Sequence, residues 1–294
     1  MLIPWWGGDN YDASDPDCGR FEQWKKEGLS LFTMVGRPQD ADILVYPSSP
    51  TTNPTMFADF QDLTAGLKGR TVVFFNDDND SHISKHPHTW LFRTSFYKTQ
   101  QQLQEFALAT WSKDWGVFEP QPWSDKPKVS FCGTFDDHGV RKAGVQALTS
   151  YPNIDTNFIV RQQFWGGWIG SGRSAEIGKN VRKDFLLNIA SGGYVLCGRG
   201  GGNFSYRWAE TIMSGRIPLL IDTDCVLPFD FLVDWGKVFP IIKKTDIRHI
   251  GDVLLDFHNS LGPDEFVERQ KTMRALWEEW ISPVGFFSNF HKHF

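Results

Sequence analysis

Between Tyr194 and Asp222 the chain reads as strand, glycine-rich loop, helix, strand, and no other stretch constrains its fold as tightly. The apolar run Tyr194-Val-Leu-Cys197 gives way to Gly198-Arg-Gly-Gly-Gly202, whose glycines let the backbone approach another group closely. Asn203 or Ser205 then stands where a helix N-cap is expected, and Gly215 marks the helix end. The first turn of such a helix aims unsatisfied N–H groups and the positive end of its dipole above the loop, which favours a phosphate or diphosphate. Arg199 in the loop and Arg207 in the first helical turns supply full charges suited to phosphate oxygens. Glu210, three positions after Arg207 on one helix face, is placed to accept hydrogen bonds from ribose hydroxyls.

Two other readings fit the same residues. Arg207 and Glu210 at this spacing can form an ordinary intrahelical ion pair on a solvated face. Alternatively, Gly198-Arg-Gly200 before a helix, with Asp222 closing the next strand, approaches the fingerprint of a nicotinamide-dinucleotide fold. That fingerprint needs a third glycine where Asn203 stands.

The segment resembles the exostosin-like glycosyltransferases, whose pattern runs as an aromatic-x-Leu, Arg-Gly, Ser-x-Arg-x-x-Glu, Gly-x-Ile-Pro, an Asp, Leu-Pro-Phe and Asp-Trp. Tyr194 and Leu196, Arg199-Gly200, Ser205, Arg207, Glu210, Gly215, Ile217-Pro218, Asp222, Leu227-Pro-Phe229 and Asp234-Trp235 supply it in order. Upstream, Gln39-Asp-Ala-Asp-Ile-Leu-Val-Tyr-Pro47 is similar to an acidic strand entry of the family, and Phe131-Cys-Gly133 with Arg141 to its Phe-x-Gly then Arg element. The chain departs from the pattern at Gly198, Thr211 and Arg216, where the family often has Pro, Ala and Cys. The resemblance implies a donor site of Arg141, Arg199, Gly200, Ser205, Arg207 and Glu210. It also implies transfer from a UDP-sugar co-substrate to a glycan acceptor, with no further cofactor required.

Composition agrees with that reading. The chain has 294 residues, enough for two medium domains, and 35 acidic against 30 basic residues give a net charge of −5. No block of Lys or Arg stands out, so a nucleic-acid partner is not expected. Cys18, Cys132, Cys197 and Cys225 are too scattered for a disulfide scaffold or a zinc-ligand pair. The opening Met-Leu-Ile-Pro-Trp-Trp-Gly-Gly-Asp9 has neither a basic region nor a long apolar run, which leads to the expectation of a soluble, cytoplasmic enzyme with no integral membrane segment.

Ile43 to Tyr46 and Thr71 to Phe75 read as buried strands, with helical patterns at Phe21 to Leu31, Pro54 to Leu67 and Thr99 to Trp111. A proline-rich passage, Glu119-Pro-Gln-Pro-Trp-Ser-Asp-Lys-Pro127, precedes a second alternating series: a strand at Val129 to Cys132, a helix at Gly139 to Thr149, a strand near Phe158 to Val160 and a helix near Val181 to Ala190. The chain closes with an amphipathic helix from Asp264 through Trp280 and an aromatic tail at Phe286 to Phe290. The expected class is α/β, with two facing Rossmann-like domains (the GT-B architecture) and the active site in the cleft between them. The boundaries read as 1–124 for an acceptor-side domain, 125–275 for a nucleotide-sugar domain and 276–294 for a tail packing back on the first domain.

A general base is expected in a loop facing that cleft. Asp77, in Asn76-Asp-Asp-Asn-Asp80 directly after a strand, is the first candidate, with Asp78, Asp137 and His138 as rivals; polar turns account for the same residues. Asp78-Asn-Asp80 and Asp222-Thr-Asp224 have the form of cation-holding triplets, but two arginines and a helix N-terminus can neutralise a diphosphate without metal, so no metal site is assigned. Trp165 and Trp168, and the Trp5-Trp6 pair, lie among glycines where rings could stack on sugars or simply pack a loop. The resemblance further implies a direct displacement that inverts the anomeric centre to give a β-linkage. With no cation evidently reserved for a sugar carboxylate, apart from Arg173, Arg182 and Arg216, xylose or another small neutral donor sugar is favoured. A dinucleotide oxidoreductase and a non-catalytic carbohydrate-binding module are the alternatives.

Overall fold

Two all-parallel sheets organise the chain. The computed structural model describes residues 33, 35, 37–46, 50–51, 54–75, 78–110, 112, 114–135, 138–163 and 175–294. The first sheet has the order β1-β2-β3-β4, from β1 (Ile43–Tyr46), β2 (Arg70–Phe75), β3 (Thr89–Arg93) and β4 (Glu105–Ala107), with α1 (Pro54–Thr64) joining β1 to β2. Every neighbouring pair is parallel. Val72 and Val73 of β2 and Leu91 and Phe92 of β3 are fully buried, so both faces of these central strands are covered, and β2 reads as an unbroken apolar run rather than an alternating one.

The second sheet has the order β6-β5-β7-β8-β9, again all parallel. Its strands are β5 (Lys128–Thr134), β6 (Asp155–Arg161), β7 (Tyr194–Cys197), β8 (Ile217–Asp222) and β9 (Ile241–Lys243). Helices α2 (Val140–Thr149), α3 (Ala175–Ala190) and α4 (Tyr206–Met213) make the crossovers, followed by α5 (Ile250–Asn259), α6 (Pro263–Leu276) and α7 (Pro283–Asn289). The winding direction reverses between β5 and β7, and in such a sheet ligands bind beyond the strand C-termini at that point. Pro218 is tolerated inside β8 because its missing N–H falls on the β9 side, and pairing with β9 starts only at Leu220, which donates to Pro240 O at 3.0 Å.

The α/β class with two parallel sheets is as expected, but one element differs. In place of a helix over Thr99 to Trp111, the described residues form a short turn at Lys98–Gln100 and then β4. Its Glu105 is buried beside β3, where its carboxylate meets the buried Arg93 at 3.2 Å, while Phe106 stacks on Phe92 with ring centres 5.4 Å apart. Tertiary pairing thus overrides local helix propensity. The expected helix at Phe21 to Leu31 and the aromatic clusters at Trp5-Trp6 and Trp165 to Trp168 lie outside the described residues.

The passage 119–127 is pinned rather than loose. Gln121 N–H donates to Gln270 (2.9 Å), Ser124 O meets His258 Nε2 (2.7 Å), and Trp123 stacks on His258. At the C-terminus, Phe287 and Phe290 pack on Phe74 of β2, and Phe290 on Phe92 of β3. Phe286 also touches Phe229, from the loop after β8, at 5.4 Å. One aromatic cluster therefore joins the two sheets.

Candidate active site

The strand, loop and helix singled out in the sequence converge on the reversal point of the second sheet. β7 is buried at every position, and α4 starts after Ser205, whose φ of −136° and ψ of 114° suit an N-cap. The helix ends in a Schellman turn: Gly215 has φ of +68°, its N–H donates to Ile212 O at 3.0 Å, and Arg216 N–H donates to Thr211 O at 3.0 Å. The capping role read for Asn203 or Ser205 is not realised, since no side chain caps this helix. The buried Ser205 hydroxyl has no hydrogen-bond partner among the described residues. It lines, with Arg199 and Thr110, a cavity of about 20 Å³, room for a single water.

Arg207 reaches from the first turn of α4 to the end of β5. Its Nη2 donates to Cys132 O at 2.6 Å and its guanidinium carbon sits 4.5 Å from the Phe131 ring centre. A Cβ on Gly133 would lie 2.6 Å from that same Nη2, so the Phe-x-Gly element is the seat of this arginine. Nε and Nη1 are buried and have no hydrogen-bond partner among the described residues, a cost that an anionic ligand would remove. Arg207 is nine-tenths buried and does not pair with Glu210, so the intrahelical ion-pair reading is set aside.

Arg199 departs from expectation. Its guanidinium is held by Asp80 Oδ2 (2.9 Å), the Tyr97 hydroxyl (2.9 Å), Gly201 O (2.9 Å) and Asn203 Oδ1 (3.3 Å), all but its Nε being engaged. Burial works against ionised Asp80, but hydrogen bonds from Ser95, the Asn203 N–H and Arg199 outweigh it and hold the carboxyl below the usual range. Arg199 therefore ties the glycine loop to the loop after β2 instead of standing open for a diphosphate. The loop glycines have a matching reason: a Cβ on Gly201 would meet Asp78 Oδ2 at 2.9 Å, and one on Gly202 would meet Ser95 Oγ at 2.5 Å. Their small size serves contact between the two halves of the protein. Sequence reasoning named Asp80 only in a polar loop and a possible cation triplet and did not single out Ser95 or Tyr97, because their partners, Arg199 and Asn203, are more than a hundred residues away.

One turn beyond Arg207, Glu210 accepts from Ser112 Oγ at 3.1 Å and lies 3.8 Å from Arg182 Nη1. Burial raises its pKa, opposed by Arg182 and Arg207. Arg182 in turn stacks over Trp115 at 4.2 Å. The site also gathers Arg141, which donates to Gly198 O and Thr134 O and whose Nη2 would lie 3.2 Å from a Cβ on Gly200, and His138, whose Nε2 is 3.3 Å from Gly201 O. Asp78 lies against the glycine loop, whereas Asp77 and Asp137 fall outside the described residues, as does Arg173.

Arg216 is not a sugar-carboxylate ligand. It is 1% exposed and donates to the carbonyls of Glu119 and Ala190. In the acidic triplets, Asp80 holds Arg199 and the Asn203 N–H, Asp222 Oδ1 accepts the N–H groups of Asp224 and Cys225, and Asp224, at φ of 66°, accepts from Thr99. Among the described residues no group of three metal-ligating side chains forms. Cys132 and Cys197 are buried free thiols, and burial pushes Cys197 up to about 12. No helix among the described residues is long and apolar enough to cross a membrane.

No protein-family model matches the chain. A probable glucuronosyltransferase of Oryza sativa subsp. japonica is 25% identical over 122 residues, 37% of this chain and 28% of that protein. The exostosin-1 homolog of Caenorhabditis elegans is 24% identical over 101 residues, 34% and 25% of the two chains. A probable beta-1,4-xylosyltransferase of Arabidopsis thaliana is 23% identical over 120 residues, 37% and 28%. The match thus spans little more than a quarter of these relatives' length. Among solved structures, a glycosyltransferase from Rickettsia africae ESF-5 overlays at TM-score 0.45 and 10% identity, covering 97% of this chain and 83% of that one. TarM overlays at 0.44 and 10%, covering 93% and 57%. At these scores neither overlay supports an argument. Over about a third of its length, the chain is similar in sequence to the exostosin-like glycosyltransferases.

Proposed function

We propose that the chain is a glycosyltransferase that moves a sugar from a uridine diphosphate donor to a glycan hydroxyl. The observation that supports this most is Arg207, which presents two buried nitrogens without a hydrogen-bond partner among the described residues beside the N-terminus of α4 at the sheet's reversal point. The similarity to probable glucuronosyl- and xylosyltransferases favours the same class.

In this reading Arg207, the Ser205 hydroxyl and the first N–H groups of α4 stabilise the departing diphosphate, where negative charge grows in the transition state. Arg141 and Gly200 line the same approach, Arg199 holds the loop in place, and Glu210 exchanges its Ser112 hydrogen bond for a ribose hydroxyl. A side chain from the facing loops, Asp77 first and Asp78, Asp137 or His138 otherwise, takes the acceptor proton as the acceptor oxygen bonds to the anomeric carbon and the carbon–phosphate-oxygen bond breaks. Direct displacement inverts that carbon, so an α-linked donor yields a β-linkage. The engagement of Arg216 with backbone carbonyls removes one cation from a sugar carboxylate and favours xylose or another neutral donor sugar.

Calorimetric titration with uridine diphosphate, in magnesium and then in chelator, tests the reading. Micromolar binding that persists in chelator and weakens roughly 30-fold in Arg207→Ala is expected. A folded wild-type protein that gives no heat with uridine diphosphate rules it out.

A further inference from the structure

A pocket of about 460 Å³ is lined by none of Arg141, Arg199, Ser205, Arg207 and Glu210. It opens between β8, the loop that follows it and Lys98 of the β3–β4 connection. Its volume falls within the span of about 300–1,000 Å³ typical of small-molecule sites. We infer that this pocket binds a neutral sugar unit. Its assignment to the acceptor rests on the glycosyltransferase reading, whereas sugar binding itself does not.

Charge narrows the ligand class. Three carboxylates line the pocket, Asp222, Asp230 and Asp234. Asp230 is neutralised by Lys98 at 2.8 Å and Asp234 by Lys237 at 3.0 Å. Three carboxylates less two paired ammonium groups leave one excess negative charge, at Asp222, whose Oδ1 is held by two backbone N–H groups and the Cys225 thiol and which Lys98 also faces. An anionic ligand finds no cation reserved for it. A divalent cation needs several oxygen ligands, and a single half-engaged carboxylate is a poor start. A polyhydroxylated neutral ligand suits what remains, because its hydroxyls donate to carboxylate oxygens and accept from Lys98.

The apolar side of the pocket supplies the other half of sugar recognition. Phe231 is 47% exposed, yet its ring is buttressed by Phe106, Phe229 and His293 at 5.9, 6.1 and 5.1 Å. A ring held on one side and open on the other offers a platform for the C–H face of a pyranose at little entropic cost. The pocket shares Leu220, Cys225 and Leu227 with the small cavity at Ser205 and Arg199, so the two have a common wall.

Saturation-transfer NMR with a β-1,4-linked xylose disaccharide tests this, with glucuronic acid and glucosamine as charged comparators. Wild type and Arg207→Ala should show the same saturable signals from the neutral disaccharide. Asp222→Asn, which keeps one oxygen for the backbone N–H groups, and Phe231→Ala should each weaken binding roughly 5- to 10-fold, with Phe231→Leu as a packing control. Absence of saturable binding overturns the assignment, as does binding unchanged in both pocket variants, lost in Arg207→Ala, or stronger for either charged sugar. Uridine diphosphate titration is read separately: nucleotide binding without sugar binding removes only this pocket, and the converse removes only the nucleotide site.

Discussion

Gly133 lacks a side chain where Arg207 needs the room: a Cβ there would lie 2.6 Å from Arg207 Nη2, and the Phe131 ring flanks the same guanidinium at 4.5 Å. The end of β5 and the start of α4 are thus one unit, with the strand supplying a floor for the helix's arginine. Gly133→Ala should displace the guanidinium while leaving the sheet, in which Gly133 is a regular β5 residue, largely intact. Uridine diphosphate affinity is expected to drop about 10-fold, with a thermal midpoint within a few degrees of wild type. Unchanged affinity in a folded Gly133→Ala protein would show that Arg207's position does not matter to the nucleotide.

Asp80 and Arg199 connect the halves of the protein through a pair whose side chains are 21% and 4% exposed. Removing the carboxylate strands a buried guanidinium, so Asp80→Asn should cost about 2 kcal/mol, measured by urea unfolding. The pH dependence has a definite sign. Because the folded pKa lies below the ordinary 3.8, the carboxylate's contribution is present above that value and is lost as pH falls through the lower folded value. The gap between wild type and Asp80→Asn should therefore close in strong acid and stay constant from neutral pH down to the ordinary carboxylate range.

The strands were legible where both faces are buried, as in Val72-Val-Phe74 and Tyr194-Val-Leu-Cys197, because continuous apolar runs bounded by polar turns leave few other options. β3 and β4 were not, since Arg93 and Glu105 look like surface charges until each is seen to be the other's buried partner. Arg207 and Glu210 were singled out from the loop and helix that carry them and from their spacing, but not what surrounds them: Ser112 lies 98 residues from Glu210, and Cys132 lies 75 from Arg207. Arg199 was misjudged for the same reason. A charge among glycines suggests a ligand, and only the fold reveals that Asp80 already occupies it.

Glu210 has its pKa raised by burial from the usual 4.5, so ionisation works against the folded state. Its contribution to stability is greatest below 4.5 and is lost as pH rises through the raised folded value. Relative to wild type, Glu210→Gln should gain stability between acid and neutral pH, as read by denaturant midpoints at both. A gap that does not vary with pH would contradict the buried-carboxylate account. Glu210→Ala is expected to fold and to bind uridine diphosphate about 10-fold more weakly through loss of the ribose contact.

His293 lies in the aromatic cluster joining the two sheets, with ring centres 4.8 Å from Phe92, 4.8 Å from Phe106 and 4.7 Å from Phe229. Burial pushes its pKa down from 6.5 to about 4, although its Nδ1 contacts Phe290 O at 3.0 Å. The stability associated with keeping it neutral is complete above 6.5 and is lost as pH falls toward about 4, where the folded ring finally takes up a proton. A depression of this size corresponds to stability on the order of 3 kcal/mol across that window. His293→Phe keeps a ring in the cluster and removes the titration. Urea unfolding from about pH 7 to about pH 4.5 should therefore show a steeper loss of stability for wild type than for the variant. Parallel curves would mean that His293 titrates normally and that the tail does not hold it away from water.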